Sequence, residues 1–137
     1  MRNITFFSII YTILILNISG CTYKTPQPED DFKCRVEGAL APQWACGSSK
    51  VAGMLSVVGS AKLSSYGDIY SRNEAIKDGK EKLANLIEER YGKKYSKKEM
   101  YDLLKEVKSS ATQLKYWQNP INNDIFVLIG VSEDIIN

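Results

Sequence analysis

The ten residues Met54–Leu63, with the sequence MLSVVGSAKL, and the segment that follows them decide the predicted fold. Their β-branched and apolar content, followed by Ser64 and Ser65, predicts a strand. Gly59 lies inside this strand and indicates a bulge or the close approach of a helix. A phosphate site is not indicated, because no glycine-rich loop of the G-x-G-x-x-G type follows the strand and opens a helix.

A long amphipathic helix is predicted directly after this strand, over residues 66–91. Ser65 and Asp68 fit a capping box at its start, and Gly92 is a suitable C-cap. Gly79 in its middle costs up to ~1 kcal/mol relative to alanine, so it indicates a place where a sheet or another helix comes close. The predicted apolar stripe consists of Ile69, Ile76, Leu83 and Ile87, with Tyr70, Leu86 and Ala84 on its edges.

A basic segment and a shorter helix come next. Gly92–Lys98 is interpreted as a solvated loop between helices, with contact to lipid headgroups or nucleic acid as the alternative. Ser96 and Glu99 fit a second capping box. Apolar residues at positions 100, 103, 104 and 107 predict a helix over about 97–109.

The remaining segments complete an α+β prediction. Ala111–Trp117 and Ile125–Val131 are predicted to pair as an antiparallel hairpin across a turn cluster. Cys34–Gly53 is predicted to be irregular, with Trp44 covering one end of the core, and stacking of Trp44 on a ligand is the alternative. The order is β-α-α-β-β, and residues 34–137 are expected to form a single domain. Its small antiparallel sheet packs on one long helix in two layers.

The first twenty residues have the pattern of a bacterial lipoprotein signal peptide. Arg2 is the positive n-region, Ile4–Leu16 is the apolar core, and small residues precede a cysteine. Residues 1–20 are therefore predicted to be removed by cleavage between Gly20 and Cys21, and Cys21 is predicted to be acylated. An ordinary secretory signal or a transmembrane helix is the alternative. The apolar run is short and interrupted for a span of about 20 residues.

Residues 21–33 are expected to form the lipidated N-terminus and a solvated tether. The segment contains Pro26, Pro28 and a run of acidic residues, with little apolar content. Two or three acyl chains hold a protein stably to a bilayer, so the membrane is the first expected partner. Thr22 stands where an aspartate would favour inner-membrane retention, which indicates the outer membrane.

The cysteines and the absence of histidine limit which catalytic and metal-binding roles the chain can have. An exported protein meets an oxidising compartment, so Cys34 and Cys46 are predicted to form a disulfide. The alternative is that the two cysteines bind a metal ion. The chain offers neither a histidine nor a third free thiol as a further ligand. The chain has no histidine, which excludes histidine-dependent nucleophilic catalysis and HExxH zinc sites. A formal net charge of +2 does not indicate nucleic-acid binding. Neither a cofactor nor a metal is expected.

Three motifs resemble a known family. They are Pro42-Gln43-Trp44, the strand end Val57–Ala61 and the segment Gly67–Ala75, with Leu83-Ala84 further along the helix. These resemble the LPP-twenty group of small Gram-negative lipoproteins over about residues 40–131. The resemblance implies a dodecin-like sheet wrapped on one helix, and residence at the outer membrane. One branch of the family is a structural lipoprotein of the flagellar basal disk, other branches are surface antigens, and none is an established enzyme.

The expected function is a structural or protein-interaction role at the outer membrane, with self-association as one form of it. The most specific role that the resemblance implies is one in flagellar structure and motility. A surface antigen or adhesin without a flagellar role is the alternative.

A small-ligand-binding module is a further alternative, since dodecin-like sheets can stack aromatic ligands. The rings considered for it are those of Tyr70, Tyr91, Tyr95, Tyr101, Tyr116 and Trp117. No catalytic residues are assigned, because the acidic pairs are sequence neighbours in a tether, a helix and a tail. These pairs are Asp30/Asp31, Glu88/Glu89 and Glu133/Asp134.

Overall fold

The computed structural model describes residues 32–47 and 50–136. The strands are β1 (Phe32–Val36), β2 (Ala39–Pro42), β3 (Met54–Ala61), β4 (Thr112–Gln118) and β5 (Ile125–Ser132). The α-helices are α1 (Asp68–Tyr91) and α2 (Lys97–Ser110). Short 3-10 turns lie at Gln43–Cys46 and Glu133–Ile135. The described part is thus a mixed α+β structure, as predicted, with two strands before β3 that the predicted order lacks.

A three-stranded antiparallel sheet in the order β3-β5-β4 forms the centre of the domain. Alternate residues of β5 point towards the helices and are fully or almost fully buried. These are Ile125, Val127, Ile129 and Val131. They form one core with Leu83 and Ile87 of α1 and Val107 of α2. The long apolar run of β5 is therefore explained by a strand that is covered on both faces.

A two-stranded hairpin, β1-β2, covers the other face of this sheet. Trp44, 5% exposed, and Ala41 pack against Leu128 of β5. The prediction of an irregular segment over Cys34–Gly53 was wrong for β2 and for the end of β1. The prediction of two layers was wrong for the same reason, because the hairpin adds a third. The role predicted for Trp44 as a core residue is confirmed.

The Sγ atoms of Cys34 and Cys46 lie 2.01 Å apart, as the predicted disulfide requires. The bond joins β1 to the 3-10 turn that follows β2, over a sequence separation of 12. The hairpin buries few large side chains of its own, so this bond closes the third layer covalently.

The closest approach between helix and sheet involves two glycines, Gly59 of β3 and Gly79 of α1. A Cβ atom added at Gly59 would lie 2.7 Å from the Cα of Gly79 and would also collide with the carbonyl oxygen of Ala75. Both glycines are buried. The close approach that the sequence predicted at each glycine is confirmed, and the two glycines meet each other.

The buried face of α1 differs from the predicted stripe. Its buried residues are Ser71, Ala75, Gly79, Leu83, Ala84 and Ile87. Ile69 is 81% exposed, so its assignment to the core was wrong. The face that meets β3 is lined by small residues because the backbones come too close for large side chains.

The outer edge of β3 is contacted by a salt bridge on α1. The backbone N–H of Ser60 donates to Asp78 Oδ2 at 2.8 Å, and Lys82 Nζ lies 3.5 Å from the carbonyl oxygen of Val58. Asp78 and Lys82 themselves are 2.7 Å apart. The pair therefore occupies backbone groups at the edge of β3 that could otherwise pair with another strand.

The start of α2 agrees with its prediction. The Ser96 hydroxyl accepts a hydrogen bond from the Glu99 N–H, and the Glu99 carboxylate accepts one from the Ser96 N–H at 2.8 Å. The backbone hydrogen bond from Ser96, followed by that of its hydroxyl, lowers the pKa of Glu99 below its usual 4.5. The capping box predicted from Ser96 and Glu99 is confirmed.

We expect Gly59→Ala to lower the free energy of unfolding by about 3 kcal/mol or more, because the new methyl group meets backbone atoms that cannot rotate away. Gly53→Ala is the matched control: its positive φ of 70° strains the backbone, but nothing lies within 4 Å of the added Cβ. It should cost only about 1 kcal/mol. Urea unfolding followed by circular dichroism measures both, and equal costs would contradict the proposed contact.

We expect loss of the disulfide in the double variant Cys34→Ser/Cys46→Ser to cost about 3 kcal/mol, the value for a loop of about a dozen residues. Thermal unfolding with and without reductant measures this for the wild-type protein, and the double variant should not respond to reductant. Two free thiols in the unreduced protein would show that the bond is absent.

We expect Glu99 to stabilise the fold above its unfolded-state pKa and to lose that contribution as the pH falls through its lower folded-state pKa. The carboxyl signal of Glu99 in an NMR titration should therefore have its midpoint below the usual 4.5. Ser96→Ala should raise that midpoint only in part, since the backbone donor remains. A midpoint unchanged by the substitution would show that the Ser96 hydroxyl does not lower the pKa of Glu99.

Candidate functional site

Four large apolar side chains are exposed within eight residues at the start of α1. They are Leu63, Tyr66, Ile69 and Tyr70, which we call the apolar patch. Tyr66 and Ile69 are each 81% exposed, and the rings of Tyr66 and Tyr70 lie 5.2 Å apart. Single exposed apolar residues are common on protein surfaces, whereas clustered ones mark interaction sites.

Two hydrogen bonds of the Ser71 hydroxyl hold the turn that carries the patch. The Ser71 hydroxyl accepts from the N–H of Ser64 at 2.8 Å and donates to the carbonyl of Gly67 at 3.1 Å. Gly67 has a φ of 95°, which a residue with a side chain rarely adopts. The predicted capping box of Ser65 and Asp68 was wrong, because Gly67 is the N-cap and no side chain caps it.

Arg72 extends this surface towards β4. Its guanidinium carbon lies 5.2 Å from the centre of the Tyr116 ring, and its Nε donates to Gln113 at 2.9 Å. Arg72 and Tyr116 are both exposed. The apolar patch therefore borders a cationic side chain whose orientation is fixed by two contacts.

The rings considered for ligand stacking lie at separate places. Tyr91 and Tyr95 pack against the helix–sheet core, and Trp117 packs with Phe126 in the hairpin core. Tyr70, Tyr101 and Tyr116 are exposed on α1, α2 and β4. The structure does not bring the six rings together around one cavity within its described residues.

The acidic pairs do not form a catalytic or metal-binding cluster in the described part of the chain. Glu88/Glu89 and Glu133/Asp134 are exposed, and Asp30/Asp31 lie outside the described residues. No group of three or more potential metal ligands occurs within 32–47 and 50–136.

The predicted processing residues, Gly20 and Cys21, lie outside the described residues, as do the signal peptide and residues 22–31 of the tether. β1 begins at Phe32, so it includes the last two residues assigned to the tether. Among the helices of the described part, none is long and apolar enough to cross a membrane.

The described chain begins in β1, in the hairpin on the face of the sheet opposite α1. The apolar patch lies at the N-terminal end of α1, which has 24 residues and is therefore about 36 Å long.

No protein-family model and no curated protein sequence matches the chain. The geometry of the described residues therefore provides the structural evidence for a functional surface. Sequence reasoning missed the apolar patch, because Ile69 was assigned to the core by its helical spacing.

We expect the substitutions Tyr66→Ser and Ile69→Ser to change the free energy of unfolding by less than about 0.5 kcal/mol each, since these side chains are exposed. Leu83→Ser, at a buried position of the same helix, is the contrasting variant and should cost several kcal/mol. Urea unfolding measures all three, and a large cost at Tyr66 or Ile69 would assign the patch a role in folding.

Proposed function

We propose that the protein is a lipoprotein of the bacterial outer membrane with a structural or protein-interaction role. It is acylated at Cys21 after cleavage behind Gly20, and its domain presents the apolar patch to a protein partner of the cell envelope. The observation that carries the interaction role is the exposure of Leu63, Tyr66, Ile69 and Tyr70 together on a turn held by hydrogen bonds. The anchor is supported by the sequence before Cys21.

The composition of the patch supports this role. It contains two tyrosines, Tyr66 and Tyr70, whose rings lie 5.2 Å apart. Tyrosine side chains add large contact areas at a small cost in conformational entropy.

The finer assignment follows from the resemblance to the LPP-twenty group. We propose a dodecin-like packing of the sheet on α1 and, as the first role to test, membership in a flagellar basal structure needed for motility. The supporting residues are Val57–Ala61 and Gly67–Ala75. Of these, Gly59 and Gly67 occupy positions that the backbone geometry restricts to glycine.

The anchor is tested by metabolic labelling with a palmitate analogue in the native host. Wild-type protein and Cys34→Ser should incorporate the label and fractionate with the outer membrane, whereas Cys21→Ser should do neither. Cys34→Ser is the matched control, because it removes another cysteine from the same chain. Labelling of Cys21→Ser would refute acylation at this residue.

The interaction role is tested with a photo-crosslinking amino acid placed at Tyr66 or at Glu81, an exposed position in the middle of α1. A discrete crosslinked protein at position 66 that is absent at position 81 supports the role of the patch. Equal crosslinking at both positions would refute it. Deletion of the gene, with swimming scored in soft agar, tests the flagellar role, and normal swimming would exclude it.

A further inference from the structure

We infer that the basic segment Arg90–Lys98 docks onto the anionic phosphate headgroups of phospholipids in the membrane leaflet that carries the anchor. Docking would fix the orientation of the domain, with the apolar patch held away from the bilayer. This inference rests on the proposed acylation of Cys21 and adds a second, electrostatic contact with the same membrane.

The charge of this segment is unbalanced and accessible. Five cations and no carboxylate lie between positions 90 and 98, and all five side chains are exposed. They are Arg90, Lys93, Lys94, Lys97 and Lys98. Among the described residues, no carboxylate lies within salt-bridge distance of any of them. Their charges are therefore available to an external anion.

Helix electrostatics explains only part of this charge. Cations near the C-terminus of α1 interact favourably with the helix dipole, which accounts for Arg90. Lys97 and Lys98 lie in the first turn of α2, where the dipole favours carboxylates instead. Glu99, the acidic residue of that turn, is hydrogen-bonded to Ser96. The two lysines thus work against the stability of α2, which points to a role outside folding.

An exposed aromatic side chain accompanies the cations. Tyr101, 70% exposed, follows Lys97 by one helical turn on the same face of α2. Both line a shallow groove of about 390 Å³ between the two helices, together with Tyr95, Met100 and Leu104 and with one carboxylate, that of Glu88. Tyrosine and lysine side chains are typical of the headgroup region of a bilayer.

The length of the predicted tether favours the membrane as the occupant. The segment follows α1 directly, and the described chain begins at Phe32. Phe32 lies eleven positions after Cys21, a length that spans at most about 40 Å when fully extended. An anchor at Cys21 therefore keeps these cations within reach of the headgroups at a high effective concentration.

The size of the expected effect follows from membrane electrostatics. Each lysine or arginine close to an anionic surface contributes about fivefold to affinity. The four lysines together should therefore contribute a factor of about 600, which salt should reduce. Neutral vesicles should show none of this effect.

The first test is lysine footprinting of the acylated mature protein in vesicles. Amine acetylation is followed by mass spectrometry in phosphatidylcholine vesicles with and without phosphatidylglycerol. Lys93, Lys94, Lys97 and Lys98 should react several-fold more slowly in the anionic vesicles, and salt should restore their rates. Exposed lysines elsewhere, Lys77 and Lys108, are internal controls whose rates should not change. Equal rates at all six lysines in both vesicles would overturn the inference.

The second test separates this inference from the proposed anchor. The mature chain, residues 21–137 with Cys21→Ser and made without residues 1–20, has neither an acyl group nor a signal peptide and should still sediment with anionic vesicles at low salt. Replacing Lys93, Lys94, Lys97 and Lys98 by glutamine should weaken this binding about 600-fold. A control with the same change in charge, at Lys62, Lys77, Lys105 and Lys108, should retain most of it. If Cys21→Ser fails to bind while the wild-type chain is acylated, the docking inference fails and the anchor stands.

Discussion

The contact between Gly59 and Gly79 constrains the rest of the structure. A side chain at Gly59 would overlap the backbone of α1, so β3 and α1 can lie this close only because both residues are glycines. This spacing lets Asp78 and Lys82 reach the edge of β3 from the helix. It also brings Leu83 and Ile87 onto β5, where they close the main core.

The second face of the sheet depends on a different kind of stabilisation. The β1-β2 hairpin is short, and two-stranded hairpins are at best marginally stable alone. Trp44 supplies the large apolar contact with Leu128, and the bond between Cys34 and Cys46 joins β1 to the turn that holds Trp44. The hairpin is therefore fixed by one aromatic side chain and one covalent link.

The surface of the domain has two distinct ends along α1. The apolar patch at the start of the helix suits a protein partner, and the cations after its end suit anionic headgroups. The helix thus links the two proposed contacts and sets the distance between them.

The sequence by itself determined the helices, most of the strands and the cysteine pairing. Helical periodicity marked α2, and the box of Ser96 and Glu99 placed its start, because these signals act over a few neighbouring residues. The two central glycines could be recognised as sites of close approach, but not as partners of each other, since they are 20 positions apart. Only the tertiary structure decided that small residues, and not Ile69, face β3. It also decided that β5 is covered on both faces, because burial depends on which elements pack together and not on local periodicity. The apolar patch became visible for the same reason, once Ile69 was found in solvent.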